Sequence, residues 1–202
     1  MRHLISAIVI GAAISGPALA EGSRLPGFYI GAFGGLAVLD STVNLPATDS
    51  TPPVKLVDQG GDGFIFGLRA GWGTNFNHSG YAGIEVEGIL PNNVRSRMMA
   101  MGVEYTAHMR GEVGFYGRLG WAPDENSMIF LRAGAAAFRQ SFTNSRGTGE
   151  STEWDIVPAI GVGMETHLTR NLLVRIDFHY TGQAGMNAME AYHVTAGLAW
   201  RF

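Results

Sequence analysis

The sequence predicts an all-β fold, an eight-stranded antiparallel up-and-down transmembrane β-barrel. Three observations predict it. Apolar residues recur with period two along most of the chain beyond residue 26. The connections between these stretches alternate strictly between long and short. Aromatic residues gather at the two ends of the apolar faces. Period-two alternation marks strands with two unlike faces. Sorted loop lengths and aromatic girdles mark a barrel whose turns lie on opposite sides of a bilayer.

Composition sets the bounds. The chain has 202 residues, no cysteine, 29 glycines, a formal net charge of −3, and only 15% charged residues. An ordinary soluble domain carries about 25% charged residues and half this share of glycine. The absence of cysteine excludes disulfide scaffolds, thiol catalysis and thiolate metal sites. The weak negative balance excludes the basic patch that nucleic acid requires. Lys55 is the single lysine; every other basic residue is arginine.

Residues 1–20 read as a signal peptide, leaving 21–202 as the barrel domain. Arg2 and His3 form a basic start, Leu4 to Ile14 an apolar run, and Ala18-Leu19-Ala20 a small-residue cleavage site after Pro17. The run is too short to span a bilayer as a helix. Export of a cysteine-free chain suits a Gram-negative envelope.

Eight strands are expected at 27–38, 63–73, 80–90, 104–121, 127–140, 154–168, 172–181 and 190–202. The spacers 74–79, 122–126 and 169–171 are short and carry turn chemistry in Asn75-Phe76-Asn77, Pro123-Asp124-Glu125-Asn126 and Arg170-Asn171. The spacers 39–62, 91–103, 141–153 and 182–189 are long.

Each strand has an apolar and a polar face. In 172–181, Leu172, Val174, Ile176, Phe178 and Tyr180 oppose Leu173, Arg175, Asp177, His179 and Thr181. In 104–121, Tyr105, Ala107, Met109, Val113, Phe115, Leu119 and Trp121 oppose a face with His108, Arg110, Glu112, Tyr116 and Arg118. A soluble lipocalin-type barrel would turn the apolar face inward, and a membrane barrel turns it to lipid. The aromatic residues decide. With the first strand ascending from the periplasm, Phe28, Trp72, Trp121, Trp200 and Phe202 lie at the lower ends of apolar faces. Trp154 and Tyr192 lie at upper ends. These are two interfacial belts.

The polar faces then form a lumen charge network of Arg69, Arg110, Arg118, Arg132, Arg175 and Arg201 with Glu85, Glu87, Glu112, Glu165 and Asp177. Arginine suits such a place because its planar fork pairs carboxylates bidentately. Inward glycines, among them Gly67 and Gly163, make room for long neighbours in an eight-stranded lumen just wide enough for side chains. Hairpin register places Glu165 beside Arg175, Arg69 beside Glu85, and His179 beside His193. A lumen filled in this way is expected to be plugged.

The last strand puts Tyr192, Val194, Ala196, Leu198, Trp200 and Phe202 on one face and stops. This pattern resembles the assembly signal of bacterial outer-membrane barrels. Gly27-Phe28-Tyr29-Ile30-Gly31-Ala32-Phe33-Gly34-Gly35 is similar to the opening strand of the small outer-membrane β-barrel superfamily. That superfamily includes opacity proteins, the outer-membrane protein A barrel and porin-like immunogenic surface proteins of alphaproteobacteria. The resemblance covers residues 27–202 and implies the bacterial outer membrane as location. It also implies lipid, lipopolysaccharide and, through Phe202, the outer-membrane assembly machinery as partners. No peptidoglycan-binding domain is expected after Phe202.

A structural and surface role is the first functional expectation, with membrane integrity, lipopolysaccharide contact and loop display as its parts. Loop arginines Arg95, Arg97, Arg139 and Arg146 are the candidates for lipopolysaccharide phosphates; the plainer alternative leaves them solvated. A lipid A-modifying enzyme is the second expectation. Within it, His179-Tyr180-Thr181 and His193-Val194-Thr195 offer threonine where a deacylase wants serine. No catalytic residue and no cofactor is assigned. His108, His179 and His193 are metal-ligand candidates weighed against a polar lumen in which histidines simply hydrogen-bond.

Overall fold

The computed structural model describes residues 25–45, 54–56, 60–76, 79–100, 103–144, 151–182 and 188–202. The signal peptide expected at 1–20 lies outside these residues. Among the described residues ten strands form: β1 (Gly27–Leu45), β2 (Val54–Leu56), β3 (Gly61–Asn75), β4 (Gly80–Asn92), β5 (Arg95–Ala100), β6 (Val103–Trp121), β7 (Ser127–Asn144), β8 (Ser151–His167), β9 (Leu172–Thr181) and β10 (Ala188–Arg201).

Eight of them close a barrel. Neighbours run β10-β9-β8-β7-β6-β4-β3-β1, and β1 pairs back onto β10. All these pairings are antiparallel. Closure pairs both edges of these eight strands, which is what permits a sheet to stand in hydrocarbon. Among the described residues no helix is long and apolar enough to cross a membrane.

The faces follow the sequence pattern. Phe66, Leu68, Leu119, Leu131, Ile160 and Leu198 are exposed on the outside, with Leu90 at 72% and Ile156 at 78%. Side chains so large and so bare are incompatible with water around the whole girth and fit lipid. Phe28, Trp72, Trp121, Trp200 and Phe202 are exposed at the short-turn end, and Trp154 and Tyr192 toward the other.

The short turns are built as their residues dictate. The Asp124 carboxylate accepts hydrogen bonds from the backbone N–H groups of Asn126 and Ser127, both at 2.7 Å. This is the local turn that aspartate favours. Thr169 Oγ1 accepts from the Leu172 N–H at 3.0 Å. The chain ends are tied at the same rim, where Asn171 Nδ2 donates to the Arg201 carbonyl at 2.7 Å and the Phe202 N–H to the Phe28 carbonyl at 2.9 Å.

The other rim departs from expectation. β1 runs to Leu45 rather than ending at 38, and β2 pairs with that extension. Within the spacer expected at 91–103, β5 pairs with β6. Asn93, at φ 60°, marks the break between β4 and β5; asparagine tolerates that left-handed conformation better than most residues. β7 and β8 also reach further, to Asn144 and from Ser151.

One interior detail overturns a face assignment. The β6–β7 register shifts between Met109 and Gly111. Such a bulge inserts one residue and reverses which face its neighbours take. Met109, expected toward lipid, is buried, and Arg110, expected in the lumen, is exposed, its Nε donating to Ser141 Oγ at 2.8 Å.

Candidate functional site: the charged lumen

The barrel interior buries Arg69, Arg118, Arg132, Arg175 and Arg201 with Glu85, Glu87, Glu112, Glu165 and Asp177. With Arg110 outside, five cations face five anions. They come from seven different strands, each presenting its polar parity inward.

Four of the carboxylates are knitted to the arginines. Arg69 reaches Asp177 at 2.6 Å and Glu87 at 3.3 Å. Arg118 reaches Glu165 at 2.8 Å and Glu85 at 3.7 Å. Arg132 bridges Glu85 and Glu87, both at 3.0 Å. Arg175 binds Glu85 and, at 2.6 Å, Asp177. Arg201 holds Glu165 at 2.9 Å. Tyr29 joins as donor to Glu85 at 2.5 Å and acceptor from Arg118 at 2.7 Å.

Ring faces carry the guanidinium planes. Arg118 and Arg175 lie 4.0 and 4.3 Å from the Phe130 centroid, Arg69 lies 4.2 Å from Phe33, and Arg132 lies 4.5 Å from Tyr116. Removed from water, such stacking is worth about 2 kcal/mol. Phe33, Tyr29, Tyr81 and Phe130 were not among the expected lumen residues. Their signal was parity: Phe130 stands two residues before Arg132 on β7, and so shares its face. Glycine accommodates the rings, for a Cβ at Gly67 would collide with Phe33.

Register partly matches expectation. Glu165 lies opposite Arg175, and His179 opposite His193. Arg69 lies opposite Glu87, not Glu85, because the β3–β4 hairpin is centred one residue further along the chain, with Asn75 opposite Tyr81. Arg69 and Glu87 pair along the ladder and Arg175 and Asp177 within β9, but other ion pairs leave it, so Glu165 binds Arg118 and Arg201 instead of its strand neighbour Arg175.

Glu112 stands apart. It makes no salt bridge to arginine among the described residues. The Tyr116 hydroxyl donates to it at 3.4 Å, and His179 Nε2 lies 3.3 Å away. His179 packs edge-on against His193 with centroids 4.4 Å apart. His108 is half-buried beyond the bulge and does not join them. Thr181 Oγ1 lies 3.1 Å from His179 Nε2. A nucleophile triad needs its base to hold the acid through the opposite ring nitrogen. Here Thr181 and Glu112 both meet Nε2, while Nδ1 faces Arg132 at 2.6 Å. This is not hydrolase geometry.

Of the rim arginines, Arg97 is exposed and 3.8 Å from Glu104. Arg139 is exposed with its guanidinium 5.7 Å from the Trp154 ring. Arg95 is half-buried on β5. Arg146 lies outside the described residues.

Comparison with known proteins joins this geometry to a family. The model of the outer membrane protein beta-barrel domain matches residues 6–202. The chain belongs to that family. It is an outer-membrane β-barrel protein, and its place is the bacterial outer membrane. Among solved structures it is similar to the outer membrane protein OprG from Pseudomonas aeruginosa, at 13% identity and a TM-score of 0.58, covering 90% of this chain and 98% of that one. Neisserial surface protein A is similar at 17% identity and a TM-score of 0.54, covering 90% and 100%. The N-terminal barrel domain of Pseudomonas aeruginosa OprF is similar at 11% identity and a TM-score of 0.53, covering 90% and 100%. These likenesses establish the shared fold. No curated protein matches the chain by sequence.

Proposed function

We propose that this barrel is a structural and surface protein of the outer membrane, its lumen plugged by charge pairs and its outer rim in contact with lipopolysaccharide. The observation that carries the reading is the buried interior of five arginines and five carboxylates. A lumen occupied by a cross-linked ionic lattice leaves no aqueous path for solutes, so the useful surfaces are the lipid-facing wall and the rim.

On that rim, Arg139 beside Trp154 pairs a cation with an interfacial ring, and Arg97 is exposed on β5. Both suit the phosphates of lipopolysaccharide, where a guanidinium forms paired hydrogen bonds. Arg95 and Arg146 belong to the same proposed set. At the opposite rim, the exposed Phe202 ring at the end of β10 suits recognition by the assembly machinery. The loops between strands at the outer rim serve display.

Lipopolysaccharide retained by the purified barrel tests the reading. Arg97→Ala with Arg139→Ala is expected to lower the retained amount severalfold while the barrel still folds. Equal retention by the double variant contradicts the rim assignment. Lipid A from cells with and without the gene is expected to have the same mass; a shift would favour an enzyme.

A further inference from the structure

Glu112, His179 and His193 converge in the outer half of the lumen from β6, β9 and β10. Each offers a ligand atom, and these atoms lie within 4.8 Å of one another. All three side chains are buried. We propose that they form a site for one divalent transition-metal ion of the zinc class.

Three observations support it. The first is His193. It is fully buried, and neither ring nitrogen has a hydrogen-bond partner. Buried polar groups are almost always satisfied, and an orphaned pair on one ring calls for an occupant. An imidazole nitrogen with a free lone pair is a good metal ligand. The second is charge. Glu112 is the lumen carboxylate that makes no salt bridge to a described arginine, so a bound cation is the partner that would hold it charged there. The third is the donor set. Two imidazoles and one carboxylate, with an open position for water or a hydroxyl, suit zinc and its neighbours rather than calcium or magnesium. Thr181 Oγ1, 3.1 Å from His179 Nε2, is close enough to share the shell.

One interaction opposes loading. Arg132 Nη2 lies 2.6 Å from His179 Nδ1 and donates to it, which places the ring proton on Nε2. An ion at Nε2 requires that proton on Nδ1 instead. Arg132 must then turn toward Glu87, which the same nitrogen already reaches at 3.2 Å. The site is therefore weaker than a preorganised one, and its affinity should rise when the arginine is shortened. Ala37, Met109 and Phe138 belong to the apolar cluster packed in this part of the barrel, so an ion enters most readily while the barrel forms.

The test uses untagged full-length protein refolded from urea into detergent, first with a chelator and then with zinc or cobalt(II). Mass spectrometry of the washed protein is expected to count one zinc per chain. Cobalt is expected to give the visible bands of a low-coordinate nitrogen and oxygen site. His193→Ala and Glu112→Gln should each weaken zinc binding by roughly tenfold or more. Heat-modifiable migration reports whether each variant folds. Where a variant does not fold, the wild-type ion count and cobalt spectrum decide alone. No retained ion in the wild type overturns the proposal. So does binding that both folded variants keep unchanged.

Discussion

At Phe130 two guanidinium groups, from Arg118 and Arg175, meet one ring in the interior of the barrel. Burying two cations there is tolerable because Glu85, Glu165 and Asp177 lie within bonding distance of them. The cost of breaking such a set exceeds the value of any one bond, since the surviving partner is left charged and dry. Arg118→Met is expected to lower stability by about 3–5 kcal/mol, measured by urea unfolding in detergent. The double variant Arg118→Met with Glu165→Gln should recover part of that loss. Gly67→Val forces the Phe33 ring from its place and should reduce the folded yield on the same gel. Period two, with its direction set by the aromatic belts, disclosed the inward charges except Arg110, which the bulge turns outward. The inward rings shared that parity, but Phe130 and Phe33 are apolar and their type looked no different from the residues of the lipid face. Nor could parity disclose all the partners, because pairs such as Arg69–Asp177 and Arg175–Glu85 join strands that are not neighbours in the sheet.

Elements add constraints that parity does not contain. The bulge at Met109–Gly111 exchanges the faces of Met109 and Arg110. Nothing in a single alternating sequence marks an inserted residue except its consequence for neighbours. The upper strands were under-read for a related reason. The apolar rhythm of the sequence fades there although pairing continues, as in β5 and the end of β1. The lower turns were legible because their residues build them directly. Asp124→Ala removes the acceptor for two N–H groups and should cost about 1 kcal/mol by the same unfolding assay. Asn93→Val places a branched residue at φ 60° and should cost about 1–3 kcal/mol, whereas Asn93→Gly should be nearly neutral. Equal effects of the two Asn93 variants would contradict the strain assigned there.

The described barrel is inverted relative to a soluble globule, with large apolar side chains on its outer wall and buried charges, beside an apolar cluster, in its interior. That inversion explains the composition. Charges are few because one face of every stave meets lipid, and arginine prevails because the remaining cations are packed against carboxylates and rings. The aromatic belts of Trp72, Trp121 and Trp200 at one end and Trp154 and Tyr192 at the other fix its depth in the bilayer. The histidine pair lies near the level of the outer belt, since Tyr192 precedes His193 and faces lipid while His193 faces the lumen. Both the lipid wall and the charged lumen were legible from alternation once the belts had chosen the direction. The function of the rim was not, because it rests on loops whose residues obey no period.

Planar-bilayer recording of the refolded barrel tests the central claim, a closed barrel sealed by paired charges, most directly. The native protein is expected to show no stable conductance of porin size, and Arg118→Met or Glu85→Gln leak currents at most. A steady, porin-like open pore in the native protein would contradict it.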